Sequence, residues 1–106
     1  MNNNPVKEMV TITNENGVRV FEFLLAPESR GTWHYHSYLS ESCYCLKGQL
    51  SVDIEGSKTM ILHPGEKCEI PALIRHIVYN ETQMPCIFLV IQGIGQYDFV
   101  KNSIVT

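Results

Sequence analysis

Apolar and polar residues alternate over short runs, turn residues interrupt them at short intervals, and no long segment carries a 3.6-residue period. The first two runs, Met9–Thr13 and Val18–Leu25, are joined by Asn14-Glu15-Asn16-Gly17, whose Asn-Gly suits the positive φ of a hairpin turn. In the second run Phe21, Phe23 and Leu25 point one way, and Val20, Glu22 and Leu24 the other. A loop over 26–31 leads to the β-prone runs Thr32–His36, Glu41–Leu46, Leu50–Glu55 and Lys58–Leu62. Pro64-Gly65 turns the chain into Cys68–Ile70, which stops at Pro71, and Arg75–Tyr79 and Cys86–Gln92 complete the series. About eight strands with no helix between them predict an antiparallel sandwich or barrel. The run Cys86–Ile91 is apolar at every position, as a strand covered on both faces would be, by a stacked sheet or by a second subunit. The stretch Gln96–Thr106 reads either as an edge strand or as an arm onto a neighbour.

Composition narrows the class. At 106 residues the chain is expected to form one domain, and 44% apolar with 18% charged residues supports one hydrophobic core. Eight Lys and Arg against eleven Asp and Glu leave a net charge of −3, scattered rather than blocked. A nucleic-acid grip needs a basic stripe to neutralise phosphates, so no nucleic-acid partner is expected. The opening Met1-Asn2-Asn3-Asn4-Pro5 is not a cationic segment followed by an apolar run, and no apolar stretch approaches the ~20 residues that span a bilayer. No membrane partner is expected. Cys43, Cys45, Cys68 and Cys86 lack C-x-x-C spacing, and Cys43 and Cys45 share a strand face at a separation near or beyond the ~7 Å disulfide limit. Reduced thiols in a cytoplasmic protein are the simpler expectation.

The chemistry concentrates in one stretch. His34 and His36 are separated by one residue, which on a strand puts both imidazoles on one face with Cβ atoms roughly 6–7 Å apart. Glu41 follows across the turn-like Ser37-Tyr38-Leu39-Ser40, so a hairpin there would fold its carboxylate back beside the histidines. Imidazoles with one carboxylate are what a divalent transition ion accepts, and His76 could add a fourth ligand from a neighbouring strand. His63, beside Pro64-Gly65, is given no role, because a lone histidine in a β protein is more often a surface or core residue.

From Gly31 to Asn80 the sequence resembles the two signature motifs of the cupin superfamily. The first reads His34-Tyr35-His36, Ser37–Ser40, Glu41, Ser42–Lys47, Gly48, and the second Gly65, five residues, Pro71, His76 and, after three residues, Asn80. The short segment Gln49 to Pro64 between them is as in compact bacterial cupins. Two positions depart from the pattern: Glu28 and Leu73 stand where glycine is expected, both in turns. The resemblance implies an all-β jelly-roll barrel (a double-stranded β-helix) over 1–106 as a single domain, with motifs over 31–80. It makes His34, His36, Glu41 and His76 the ligands of one divalent metal ion per chain, with Fe, Mn, Ni, Zn and Cu all compatible. It also implies a homodimer, the N-terminal strand and C-terminal arm serving as contacts.

Around that site, strand alternation places Cys43 and Cys45 on the ligand face and turns Val78 and Asn80 inward. These thiols are more often small apolar fillers than reactive groups, and Asn80 more often closes a turn than touches substrate. Cys43, Cys45 and Asn80 are therefore the pocket candidates, with no catalytic residue named. Trp33, Tyr35 and Tyr44 alternate outward, and Arg30 and Arg75 suit a solvated surface better than an anionic substrate. The segment Phe88–Val100 is similar to the cupin portion of bacterial mannose phosphate isomerases. The expected function is a metal-dependent isomerase or dioxygenase acting on a small polar metabolite, a sugar or keto acid. The alternative is a non-catalytic module that binds a metal or small ligand, and turnover separates the two.

Overall fold

The computed structural model describes residues 6–15 and 17–101, which form eleven strands and no helix. They are β1 (Val6–Glu15), β2 (Val18–Leu25), β3 (Ser29–Arg30), β4 (His34–Tyr35), β5 (Glu41–Lys47), β6 (Leu50–Ile54), β7 (Met60–Leu62), β8 (Lys67–Ile70), β9 (His76–Asn80), β10 (Cys86–Gln92) and β11 (Val100–Lys101). One sheet runs β1-β2-β10-β5-β8; the other runs β11-β4-β9-β6-β7, with β3 also on β9. Every pairing is antiparallel. Two facing sheets whose neighbours are mostly non-consecutive in the chain make a jelly roll, the all-β fold expected from the pattern.

The period-two alternation explains the layers. Along β10, Cys86, Phe88, Val90 and Gln92 are buried, while Ile87, Leu89 and Ile91 face outward and are half-buried. The run that is apolar at every position is thus a two-faced strand, flanked by β2 and β5. Leu25, Cys43, Cys45, Leu50, Val52 and Phe88 lie at the heart of the core between the sheets. Burial of this kind contributes about 25 cal/mol per Å² of apolar area.

Several boundaries differ from the expectation. The first strand is longer at both ends than Met9–Thr13, because pairing with β2 carries it from Val6 to Glu15. Ser29–Arg30, expected within a loop, pairs with Asn80 and Tyr79, and the tail contributes Val100–Lys101 as an edge strand on β4. Asn16, in the first turn, and the tail beyond Lys101 lie outside the described residues.

Two turns are dictated by close approach. At Gly48, φ is 81° and a Cβ would stand 2.6 Å from the Pro85 carbonyl oxygen. At Gly95 it would stand 2.3 Å from the Tyr38 carbonyl oxygen, so only glycine lets the segment after β10 pass this close to the turn before β5. Conversely, the two non-glycine residues with positive φ among those described are Glu28 (51°) and Leu73 (70°). These are the two positions where the cupin pattern has glycine. The backbone keeps the left-handed shape, and the side chains there carry a steric cost of roughly 1–2 kcal/mol each.

Candidate metal centre

Register brings the four residues together. His34 lies directly opposite His76 across β4 and β9. Glu41 opens β5 on the other sheet, opposite Gln92 of β10. His36 follows β4 by one residue, and its carbonyl accepts the Leu73 amide at 2.8 Å. One ligand atom from each of His34, His36, Glu41 and His76 lies within 4.8 Å of the others, and the last three are buried. The ring centroids of His34 are 5.0 Å from those of His36 and 4.3 Å from those of His76.

Each imidazole is oriented by its second nitrogen. Nδ1 of His34 donates to the Thr32 carbonyl at 2.7 Å, that of His36 to the Asp98 carbonyl at 2.5 Å, and that of His76 to the Ile74 carbonyl at 3.0 Å. Nε2 is left to face the centre on all three rings, the arrangement that fixes a ligating tautomer in metal sites. Glu41 meets His76 Nε2 at 2.8 Å and His36 Nε2 at 3.3 Å. A cation among them would replace these contacts, so the donors present fit a divalent transition ion.

The electrostatics agree with that donor chemistry. Burial by itself would push the Glu41 carboxyl up, but hydrogen bonds from His36 and His76 outweigh it and hold the group well below the usual carboxylate range. Burial, then the neighbouring His76, lowers His34 to about 4, so its Nε2 lone pair is available at neutral pH. For His36 burial is again the largest influence and lowers the pKa, but the Glu41 contacts overcome it and the net shift is upward. A buried carboxylate that stays ionised beside three imidazoles is the anion a cation site needs.

The cluster opens onto a cavity of about 260 Å³, lined by Phe21, Phe23, Val78, Phe88 and Val90 among others. Several of its walls were not identified from the sequence. Gln92 donates from Nε2 to Glu41 Oε2 at 3.0 Å and so orients the carboxylate. Phe99 stacks on His34 at 4.1 Å, and Tyr97 lies 5.6 Å from His36. Asp98 accepts the Ser37 amide at 2.7 Å and tethers this segment. Gln92 could have been found from the inward phase of Cys86, Phe88 and Val90. Tyr97 and Phe99 belong to a strandless stretch, where alternation has nothing to say.

Of the three pocket candidates, Cys43 lines the cavity. A hydrogen bond with the Cys68 thiol and its burial both push the Cys43 thiol up, which keeps it a neutral filler at physiological pH. Cys45 is on the same face but deeper, against the Lys47 and Gly48 carbonyls, and is not part of the lining. Asn80 also lies away from the cavity: Nδ2 donates to Met84 O at 2.7 Å, and Oδ1 accepts the Thr82 amide at 2.9 Å. It closes a turn. All four cysteines are free thiols. His63 pairs with Glu66 on the surface, Arg75 with Glu55, and Arg30 covers the Tyr79 ring.

A jelly roll with this ligand cluster defines a class, and sequence comparison names it. The cupin domain profile matches residues 21–92, and the chain belongs to the cupin family. No protein of curated function matches the sequence. Among solved structures, recombinant oxalate oxidase in complex with glycolate superposes with a TM-score of 0.81 at 22% identity, over 94% of this chain and 56% of that one. This chain therefore spans a little over half of the oxidase. A double-stranded β-helix protein from Klebsiella pneumoniae gives 0.81 at 15% identity, over 97% and 90% of the two chains. A protein from Acidithiobacillus ferrooxidans, provisionally described as a sugar phosphate isomerase, gives 0.65 at 22%, over 78% and 53%. At these identities the likeness establishes the fold.

Proposed function

We propose that this cupin is a metal-dependent enzyme acting on a small polar metabolite, with one divalent transition-metal ion per chain held by His34, His36, Glu41 and His76. The observation that carries the reading is the convergence of these four donors at the wall of a cavity of about 260 Å³. Such an ion would supply Lewis acidity to a substrate oxygen or, if it is iron, a site for O₂ activation, giving a reaction of the isomerase or dioxygenase type on a sugar or keto acid. The chain's own groups set the conditions. Glu41 brings a compensating negative charge, Gln92 aims it, and the Phe21, Phe23, Phe88 and Phe99 side chains give the cavity apolar walls. The second reading, a non-catalytic module binding a metal or small ligand, uses the same site without turnover.

Elemental analysis of protein purified without chelator, followed by an activity screen with the identified metal restored, tests this. The expected result is about one equivalent of metal per chain and turnover of a small sugar or oxo acid. Metal without turnover favours the binding module; no metal overturns the metal-dependent enzyme and leaves only a module for a small ligand.

The same reading has two copies working together through the outer face of the five-stranded sheet, where Val20, Leu24, Ile87, Leu89 and Ile91 are half-buried. Exposed apolar area of this kind favours association. Light scattering at micromolar concentration is expected to give twice the 12.1 kDa chain mass, and the single mass would exclude the dimer.

A further inference from the structure

Two polar atoms in the cavity wall have no hydrogen-bond partner among the described residues: Nε of Arg19 and Oε1 of Gln92. Gln92 is 5% exposed, and its other amide atom is committed to Glu41. A buried acceptor left empty costs on the order of 1–3 kcal/mol, so natural proteins seldom leave one without a partner to come.

The two atoms belong to one row. Arg19 is opposite Gln92 across β2 and β10, and Gln92 is opposite Glu41 across β10 and β5. Adjacent strands lie about 4.8 Å apart, so Arg19 and Glu41 start roughly 10 Å apart at the backbone and reach into the same space. The guanidinium carbon lies over two rings, 3.7 Å from the Tyr97 centroid and 5.0 Å from that of Phe21. A ring face attracts the guanidinium's charge but takes none of its N–H donors, which lie at the edge of the group. No ion pair to Arg19 is formed among the described residues.

The geometry points to a carboxylate subsite: Arg19 receives the carboxylate of a small monoanionic hydroxy acid, whose hydroxyl donates to Gln92 Oε1 while its far end faces the His34, His36, Glu41 and His76 cluster. The guanidinium edge matches a planar carboxylate through two parallel N–H···O bonds. Gln92 Oε1 can only accept, so its partner must carry an O–H or N–H. Charge selects a monoanion. A divalent ion and Arg19 would bring three positive charges, Glu41 and Glu8 at the wall bring two negative ones, and one positive charge remains. A phosphate dianion would overfill that balance beside Glu8. This assignment rests on the reading of the cavity as a substrate site and deepens it by naming the substrate class.

Isothermal titration of the protein purified without chelator, with lactate as probe, tests the subsite; metal affinity is titrated separately on the same preparations. Arg19→Gln should weaken lactate binding at least tenfold while metal affinity stays within twofold. Propionate, which lacks the hydroxyl, should bind the unaltered protein at least fivefold more weakly than lactate. If Arg19→Gln loses cooperative melting, Arg19→Met keeps the stem between Phe21 and Tyr97 and carries the same comparison. Lactate affinity within twofold of the unaltered protein in the variant, or no lactate binding to the unaltered protein at all, overturns the subsite. Tighter binding of glycerol 3-phosphate than of lactate overturns the choice of carboxylate. Absence of metal with an intact Arg19 effect overturns the metal reading alone.

Discussion

The two ends of the barrel interior are furnished by the same strands and treat buried polar groups in opposite ways. β5 carries Glu41 at one end and Cys45 towards the other, β9 runs from His76 to Asn80, and β10 from Gln92 back to Cys86. At the closed end Leu25, Cys45 and Cys86 are fully buried, and Asn80, 1% exposed, finds its partners within the chain at Leu25, Ala26, Thr82 and Met84. At the open end Glu41 is committed to His36, His76 and Gln92, but Gln92 Oε1 and Arg19 Nε are left over. Burial of a polar side chain is therefore not what marks function here. A fully satisfied asparagine is part of the framework, whereas leftover hydrogen-bonding capacity faces whatever enters the cavity.

This contrast can be broken most sharply from the open end. Changing both His34 and His36 to Ala should abolish metal binding, from about one equivalent to none by plasma emission spectrometry, while cooperative melting persists. The core between the sheets does not include either ring. Full metal content in the double variant would remove these residues from the site.

At the closed end the effects should be reversed. Asn80→Ala removes a buried amide that bonds the Leu25, Ala26 and Met84 carbonyls and the Thr82 amide, and should cost about 1–3 kcal/mol of stability. Denaturant melts would show the loss, and metal stoichiometry should not change. A variant that melts normally but loses metal would mean the two ends are not separable.

The smallest effect concerns the turn between β8 and β9, at the open end. Leu73 is 63% exposed at φ 70°, and its amide holds the His36 carbonyl at 2.8 Å. Leu73→Gly relieves the left-handed strain and loses little burial, against a larger chain entropy in the unfolded state. The net gain should be about 0.5–1 kcal/mol in a denaturant titration, with metal affinity unchanged. Destabilisation would mean that Leu73 is held by packing rather than tolerated.

Much of this was legible in the order of residues. Alternation alone marks the inward faces of β2, β5 and β10, because a strand's side chains have a fixed period of two. The His-x-His spacing, the carboxylate beyond a four-residue turn and the distant His76 are written in the motif pattern, and the four side chains do meet. Even the departures from that pattern were informative, since Glu28 and Leu73 adopt the conformation of the glycines they replace. Other features depend on contacts between residues far apart in the chain. The split of Cys43 from Cys45 and Asn80 depends on where along the barrel the cavity ends, which periodicity cannot measure. Phe99 and Tyr97 reach the histidines because Gly95 lets the chain pass against Tyr38. Arg19 becomes a wall of the site because pairing across β2, β10 and β5 puts it in line with Gln92 and Glu41, 22 residues before Glu41 in the chain and two strands away in the sheet. Local sequence determines which way a side chain points, whereas the non-local register of the sheets decides what it meets there.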